Sequence, residues 1–262
     1  MSTRSRSAED PWVNGRPPHI PAGMGELPSV CLLPGDPARV GLASEVLTSF
    51  RELGSNREFR LGVGVVDDVE IAVCSTGIGG PSTEIAIVEL SRLGVDTFIR
   101  VGGMGAVSAD LKPGTLTRVS TALREGGAAK FYVPGNDPIE SSESVDQALD
   151  QAALQFGESL TPISVLSCDS YYLGEGRALA GFEDAARARL AFVKATRADA
   201  MDMECETVFA VAKALGRRYG AVLASRGNRL SDEWLEDYEP TQRSMLRIAS
   251  SAAAQLSRSS VK

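Results

Sequence analysis

Apolar and polar positions follow two different spacings along the chain, most clearly in its central part. Residues 71–74 form a short apolar run of strand length, and the glycine-rich residues 75–82 follow it. Apolar residues then recur at helical spacing over residues 85–93, and a second apolar run occupies residues 97–101. Glycines follow again at residues 102–105. The pattern predicts a strand, a glycine loop, a helix, a second strand and a glycine turn.

The same two spacings recur on both sides of this segment. Further strands are predicted at residues 29–33, 50–53, 59–66, 114–123, 163–166 and 221–224. Helices are predicted at residues 38–47, 143–156, 208–215 and 240–257. Strands that alternate with helices are typical of the α/β class, in which ligands bind beyond the carboxyl ends of the strands. The polar residues with chemical potential fall near those predicted ends, which favours a functional interpretation of them together.

Composition limits the kinds of protein this can be. The chain has 262 residues, of which 43% are hydrophobic, and this is enough for a sizeable core. Its net charge is −7 and its basic residues are scattered, which argues against a nucleic-acid surface but not against small anionic ligands. No apolar run approaches about 18 residues, and the N-terminus has no apolar signal region. We therefore expect neither a membrane span nor a signal peptide.

The cysteines and the composition of the N-terminal residues indicate the cellular compartment and the bounds of the domain. The four cysteines lie far apart, form no metal-ligand pair and are interpreted as reduced core residues of a cytoplasmic protein; they are Cys31, Cys74, Cys168 and Cys205. Residues 1–17 are polar and are predicted to form a disordered tail. Residues 18–262 are predicted to form one domain.

Two glycine segments each carry a fixed cation. Arg100 lies beside the glycines at residues 102–105, and Arg39 follows the Pro-Gly-Asp-Pro turn that contains Gly35. Glycines allow backbone N–H groups to approach a ligand closely, and a helix N-terminus favours an anion. Both segments could therefore bind phosphate or another oxyanion. The alternative is that both are tight turns with solvated arginines; no G-x-G-x-x-G fingerprint of dinucleotide binding opens a helix here.

Three other segments allow both a functional and a structural interpretation. Residues 169–177 combine two tyrosines, acids and an arginine after a predicted strand, and could recognise a flat polar ring or form an ordinary loop. The acids in residues 202–206 precede a helix, where they could simply complement its dipole. His19 is the only histidine, and by position alone it would be an exposed bystander.

Six segments in the same order resemble the nucleoside phosphorylase family that includes hexameric bacterial purine nucleoside phosphorylase and uridine phosphorylase. They read PHIPAGMGELPSVCLLPGDPARV, NREF, STGIGGPSTEIAIVEL, FIRVGGMGAV, SYYLGEGR and MDMECET, and together they span about residues 18–232. The resemblance implies an α/β, single-domain three-layer αβα sandwich around a mixed, partly barrel-like central sheet. It also implies a homo-oligomer with shared sites, a dimer at least and a hexamer by analogy.

The resemblance further implies a role for each candidate residue. Phosphate would be bound by Gly35, Arg39, Arg57, Arg100 and Gly103, with Arg57 reaching a neighbouring subunit's site. Ribose would be bound by His19, Met203 and Glu204, with His19 also donated across a dimer interface. The base would be bound by Tyr171, Glu175, Arg177, Gly227 and Arg229. Catalysis would rest on Arg100, Glu204 and Arg177, with inorganic phosphate as co-substrate and with neither a metal nor an organic cofactor.

These residue types suit the implied reaction. Three arginines can neutralise and orient a phosphate dianion that the enzyme's own carboxylates would repel. A carboxylate on the ribose hydroxyls fixes the sugar and favours the positive charge that develops as phosphate attacks the anomeric carbon.

Which base the resemblance implies depends on the residues that follow the strand predicted at residues 221–224. In the purine enzymes of the family an aspartate there is thought to protonate the purine N7, and the same spacing from Glu204 reaches Gly227 here. The segment Arg-Gly-Asn-Arg at residues 226–229 instead resembles uridine phosphorylases. A pyrimidine has no N7, and its leaving anion could be stabilised by Arg177. We therefore expect uridine, with a purine enzyme that uses Asp232 as its acid as the alternative.

Three departures from the family pattern bear on this expectation. Glu175 stands where uridine enzymes have glutamine, Gly103 replaces a serine or threonine whose hydroxyl would contact phosphate, and Asp202 replaces a glutamate. Two other functions stay open. A hydrolytic nucleosidase of the same superfamily would lack the arginine cluster, and a non-catalytic nucleoside-binding or storage protein would show no turnover.

Overall fold

One mixed sheet forms the centre of the molecule in the computed structural model, which describes residues 7–259. Its strands are β1 (Val30–Pro34), β2 (Thr48–Asn56), β3 (Phe59–Val66), β4 (Val69–Cys74), β5 (Thr97–Ala106), β6 (Leu116–Arg124), β7 (Ile139–Glu140), β8 (Thr161–Ser167), β9 (Ala200–Asp202), β10 (Arg218–Asn228) and β11 (Glu233–Trp234). β1 is buried along its whole length, as expected of a parallel strand covered on both faces.

Part of the sheet closes into a barrel-like ring. β5 pairs with β10, β10 with β6, β6 with β8 and β8 with β9, and β9 returns to β5. On the other side of β5, strands β1, β4, β3 and β2 extend the sheet outwards in that order. Both parallel and antiparallel pairs occur. The predicted mixed, partly barrel-like central sheet is therefore confirmed.

Helices cover both faces of this sheet. They are α1 (Ala38–Leu42), α2 (Gly80–Arg92), α3 (Glu143–Gln155), α4 (Glu183–Ala195), α5 (Cys205–Ala214) and α6 (Glu239–Ser259), with short 3₁₀ helices at Ala43–Glu45 and Ala128–Phe131. One apolar cluster joins α2 and α5 to the sheet, and a second joins α3 and α6 to it. Phe98 and Ile99, neighbours on β5, belong to different clusters because successive side chains point to opposite faces. The predicted three-layer αβα arrangement is thus confirmed.

The predicted glycine turn at residues 102–105 is wrong, because β5 continues through it. Gly102 and Gly103 pair in parallel register with β10. A Cβ on Gly102 would lie 2.9 Å from the guanidinium carbon of Arg100. The glycines are therefore present because another group needs the space, which is the usual meaning of glycine inside a strand.

Three other local predictions differ from the structure. The late strand, predicted at residues 221–224, continues to Asn228 because its end pairs with β11. The helix predicted at residues 38–47 divides into α1 and a 3₁₀ turn. The sequence does not predict α4, because only Ala186 and Val193 of that helix are buried and no apolar stripe marks it.

The first described residues lie against the domain. Trp12 packs on the apolar cluster of α2 and α5, and the guanidinium carbon of Arg92 lies 4.1 Å from the centroid of its ring. Val13 and Arg16 form an isolated antiparallel bridge. Residues 1–6 of the predicted tail lie outside the described residues.

All four cysteines are buried and free, as the sequence predicts for core residues. Within residues 7–259, no helix is both long enough and apolar enough to cross a membrane.

Candidate active site

A cleft of about 780 Å³ opens beyond the carboxyl ends of β1, β5, β9 and β10. This is the edge at which α/β folds place their ligands. Except for His19 and Arg57, every site residue predicted from the sequence lines it; these are Gly35, Arg39, Arg100, Gly103, Tyr171, Glu175, Arg177, Met203, Glu204, Gly227, Arg229 and Asp232. Segments that are far apart in the sequence therefore meet at one place.

Arg100 is deeply buried, and two carboxylates balance its charge. Its Nε donates to Oδ2 of Asp202 at 3.0 Å, and its Nη2 lies 2.5 Å from Oε2 of Glu204. The missing side chain at Gly102 lets the guanidinium fold back over β5. Burial lowers the pKa of Arg100, but the charges of Glu204 and Asp202 outweigh it and hold this pKa above its ordinary value. Arg100 is therefore a permanent cation in the cleft.

Glu204 lies at the start of α5 and is held from two sides. Its Oε1 accepts a hydrogen bond from the N–H of Gly79 at 2.6 Å, while its Oε2 contacts Arg100. Gly79, immediately before α2, has φ of 91°, a backbone conformation that strongly favours glycine. Burial raises the pKa of Glu204, and the charge of Arg100 opposes this shift. The arrangement fixes a carboxylate where the cleft meets the N-terminus of α2.

Arg39 supplies a second cation beside Arg100. The turn before it is fixed by a close approach of two glycine segments, in which Gly77 donates its N–H to the carbonyl oxygen of Gly35 at 2.9 Å. Nη1 of Arg39 donates to the carbonyl oxygen of Val101 at 2.9 Å, whereas its buried Nε has no hydrogen-bond partner among the described residues. Burial lowers the pKa of Arg39. An anion in the cleft could satisfy this nitrogen.

Tyr171, Glu175 and Arg177 lie together on the loop between β8 and α4. Nη1 of Arg177 donates to Oε2 of Glu175 and to the carbonyl oxygen of Tyr171. The guanidinium carbon of Arg177 also lies 3.7 Å from the centroid of the Tyr171 ring. Glu175 is buried, and burial raises its pKa against the opposing charge of Arg177. A ring, an acceptor and a cation in one place suit a planar heterocycle.

The end of β10 has no room for a side chain at position 227. A Cβ on Gly227 would lie 2.8 Å from the ring of Trp234 and 2.9 Å from the carbonyl oxygen of Glu233. The amide of the next residue, Asn228, donates to two backbone carbonyl groups of the loop after β5, at 2.8 and 3.0 Å. The Asn228 amide therefore fixes the loop after β5 against the end of β10.

Arg229 and Asp232 lie at the outer part of the same region. Nη2 of Arg229 donates to the carbonyl oxygen of Gly176 at 3.0 Å, and its buried Nε has no partner in the described part of the chain. Asp232 is exposed, has φ of 57° and occupies the turn between β10 and β11.

His19 and Arg57 do not line the cleft of their own chain. Nδ1 of His19 lies 2.7 Å from Oε1 of the buried Glu89, whose Oε2 accepts the N–H groups of His19 and Ile20. Arg57 is exposed in the turn between β2 and β3, with φ of 55°. A single chain thus leaves two predicted site residues outside the site.

The cleft also contains residues to which the sequence assigned no role, among them Glu58, Arg226, Trp234 and Tyr238. The guanidinium carbon of Arg226 lies 5.0 Å from the ring centroid of Trp234 and 4.8 Å from that of Tyr238. Tyr238 comes just before α6, outside every recognised segment, so no local pattern marks it. Within residues 7–259, no group of three or more His, Cys, Asp or Glu side chains is arranged to hold a metal ion.

The sequence of this chain is similar to those of several known phosphorylases. The uridine phosphorylase of Thermococcus kodakarensis is 39% identical over 231 residues, which cover 87% of this chain and 83% of that protein. The uridine phosphorylase of Haemophilus influenzae is 35% identical over 209 residues, covering 78% and 82%. The guanosine phosphorylase of Halorubrum lacusprofundi is 32% identical over 211 residues, covering 80% and 83%. A profile of the phosphorylase superfamily matches residues 29–262. The chain belongs to the phosphorylase superfamily and is an enzyme of the nucleoside phosphorylase family.

Proposed function

We propose that the enzyme cleaves a pyrimidine nucleoside, uridine, with inorganic phosphate. An oxygen of phosphate forms a bond to the anomeric carbon of ribose, and the bond from that carbon to the base nitrogen breaks. The electron pair of the broken bond leaves with the base, which takes up the proton that hydrogen phosphate gives up, and the products are ribose 1-phosphate and uracil. The observation that carries the choice of a pyrimidine is the lack of space for an acid at Gly227.

In this proposal the phosphate lies between Arg39 and Arg100. Both line the cleft, and the buried Nε of Arg39 needs an acceptor. Gly35 and Gly103 line the cleft next to these arginines, and Arg57 of a neighbouring subunit completes the cation set. Charge-assisted hydrogen bonds of this kind both neutralise and orient a dianion.

The ribose lies beside Glu204 and Met203. Because Glu204 is already held by Gly79 and Arg100, its carboxylate can accept hydrogen bonds from the ribose 2′- and 3′-hydroxyls without a large rearrangement. Its negative charge favours the oxocarbenium-like state at the anomeric carbon. His19 of a neighbouring subunit would contact the 5′-hydroxyl.

The base lies between Tyr171, Glu175 and Arg177, next to Gly227 and Arg229. The Glu175 carboxylate can accept the N3–H of uracil, and Arg177 can stabilise the negative charge that develops on a carbonyl oxygen of the leaving base. Arg177 already contacts Glu175, so the two groups are oriented before the base arrives. A side-chain acid at position 227 would collide with Trp234, which argues against protonation of a purine N7 from there.

A purine substrate is the second candidate, and one specific observation favours it. Asp232 lines the cleft from the turn between β10 and β11, so an acid is within the site although it is displaced in sequence. A relative of similar coverage is a guanosine phosphorylase. In this alternative, Asp232 would protonate the purine ring nitrogen as the base leaves.

We also propose a homo-oligomer, at least a dimer, whose subunits share sites, because His19 and Arg57 lie outside the cleft of their own chain. A hexamer of such dimers is the form that the family resemblance favours. The four free thiols support a reducing, cytoplasmic location.

Base release from uridine, thymidine, cytidine, inosine, guanosine and adenosine, each with and without phosphate, tests the proposal. We expect phosphate-dependent release of uracil from uridine and the appearance of ribose 1-phosphate. Phosphate-dependent cleavage of purine nucleosides alone would transfer the role of acid to Asp232. Cleavage at the same rate without phosphate would refute phosphorolysis.

A further inference from the structure

Tyr238 is a buried side chain at the wall of the cleft, and its hydroxyl lies near the proposed phosphate position. Only 5% of the residue is exposed, and it lines the cleft from the segment just before α6. The hydroxyl donates a hydrogen bond to the carbonyl oxygen of Ala224 on β10 at 3.2 Å. This contact is longer than the normal range for an O–H···O hydrogen bond, so it can be exchanged for a stronger acceptor at low cost.

The hydroxyl of Tyr238 occupies the space beside Gly103. A Cβ on Gly103 would lie 3.1 Å from that hydroxyl and 3.7 Å from the ring carbon that carries it. Gly103 is also the position where the resembled enzymes carry a hydroxyl side chain. A glycine at 103 and a tyrosine at 238 therefore fit together, because a side chain at 103 would compete with this hydroxyl for one volume.

The charges around Tyr238 are those of an anion site. Burial raises the pKa of Tyr238 to about 12, while the charges of Arg39, Arg226 and Arg100 oppose this shift. The hydroxyl therefore keeps its proton at neutral pH and can act as a hydrogen-bond donor. A neutral hydrogen-bond donor that lies among cations suits an anionic acceptor such as phosphate.

We propose that the hydroxyl of Tyr238 binds the phosphate co-substrate and takes the place of the hydroxyl that is missing at Gly103. The proposal rests on the proposed phosphorolysis, but it does not depend on which base is cleaved. Tyr238 turns from the carbonyl group of Ala224 to a phosphate oxygen when phosphate enters between Arg39 and Arg100. The hydroxyl group of the phosphate site would then be supplied by the residue before α6, while β5 still supplies Arg100.

The first test is the substitution Tyr238→Phe, which removes only the hydroxyl. We expect the KM for phosphate to rise about 10- to 100-fold, as for the loss of a hydrogen bond to a charged group, with less than about a twofold change in the KM for the nucleoside. Titration calorimetry with inorganic phosphate alone should show the same loss of affinity. Thermal unfolding of the variant, measured in parallel, reports whether the fold is retained.

Substitution of Gly103 gives a second, independent test. In the wild-type background Gly103→Ser should weaken phosphate binding, because the new side chain meets the Tyr238 hydroxyl. In the Tyr238→Phe background the same substitution should restore phosphate binding, because the ring without its hydroxyl leaves room for the serine. This reversal of sign is a result that a purely structural role of Tyr238 would not produce.

The outcomes separate this inference from the proposed function. If Tyr238→Phe leaves phosphate affinity unchanged, or weakens nucleoside and phosphate binding equally, Tyr238 does not bind phosphate. The same conclusion follows if Gly103→Ser has the same effect in both backgrounds. If the wild-type enzyme cleaves nucleosides at a rate that does not depend on phosphate, phosphorolysis itself is refuted.

Discussion

At the scale of single residues, Arg100 connects the two halves of the proposed reaction. One guanidinium contacts Asp202 and Glu204 and lies beside the proposed phosphate position. The carboxylate that would hold the sugar and the cation that would hold the phosphate are thus in direct contact before either substrate binds. Positioning of this kind is a main source of rate enhancement in reactions of two bound partners.

Replacement of Arg100→Ala should reduce phosphorolysis by orders of magnitude, since a buried phosphate contact is lost. The variant also leaves two buried carboxylates without a cation, which we expect to destabilise the fold by about 3–5 kcal/mol. Steady-state rates at saturating phosphate, together with denaturant unfolding, separate the two effects. Arg100→Lys, which keeps the charge but not the forked geometry, should fall between wild type and alanine. Near-normal turnover by the folded alanine variant would contradict the role of Arg100.

A second prediction at this scale concerns Glu206, which is buried and whose carboxylate packs against Gly126. Burial raises its pKa to about 7, with the N–H groups of Gly126 and Glu125 opposing the shift. Between the unfolded-state pKa and about 7 the folded protein therefore binds more protons than the unfolded chain. Stability should fall as the pH rises through this window, by about 3 kcal/mol.

Chemical unfolding at pH 5 and at pH 8 measures this effect. Glu206→Gln should lose much less stability between the two pH values than the wild type does. The control is Glu143→Gln, which changes an exposed carboxylate in the first turn of α3 and should reproduce the wild-type pH dependence. Equal pH dependence of the wild type and Glu206→Gln would exclude this assignment.

At the scale of elements, the sequence predicted most strands and helices but misread the glycines of β5. Periodicity and strand length identified the first half of β5, whereas residues 102–105 have the composition of a turn. They remain in the strand because β10 pairs with them and because Arg100 and Tyr238 occupy the vacant side-chain positions. That reason is tertiary, and no local pattern contains it. α4 was missed for a related reason, since a mostly exposed helix has little apolar periodicity.

The role of the glycines in β5 gives a prediction. Gly102→Ala places a Cβ 2.9 Å from the Arg100 guanidinium carbon and should displace that group. A displacement of about 1 Å at a catalytic group can cost about 100-fold in rate, so we expect a loss of that order in kcat/KM for phosphate. Gly105→Ala, on the same strand, would make only ordinary contacts, at 3.7 Å or more, and serves as the control. Equal losses of kcat/KM in the two variants would show that the substitutions act through the strand as a whole and not through displacement of Arg100.

At the scale of the whole molecule, the family resemblance predicted many of the residues that line the cleft. It did not predict the lining residues that lie outside the recognised segments. The recognised segments converge because they end neighbouring strands. Arg226 reaches the cleft from the end of β10, whereas Trp234 and Tyr238 reach it because the chain after β10 continues as β11 and then leads into α6. Only the three-dimensional path of that segment reveals their position.

The proposed sharing of sites between subunits leads to a prediction for mixed oligomers. Arg57→Ala would remove the residue that a subunit donates, and Arg100→Ala would remove one that it keeps, so each variant alone should have very low activity. Co-expression of the two should form mixed dimers in which one site is intact, restoring roughly one quarter of wild-type activity for random pairing. A mixed preparation no more active than its components, or an active monomer by light scattering, would contradict shared sites.

The central claim is that the cleft accepts a pyrimidine and has no purine acid at position 227. It is tested most directly by the ratio of kcat/KM for uridine to that for guanosine, measured at saturating phosphate on the wild type and on Asp232→Asn. We expect a ratio well above one that Asp232→Asn leaves unchanged. A preference for guanosine that disappears in Asp232→Asn would contradict it and would identify Asp232 as the acid of a purine enzyme.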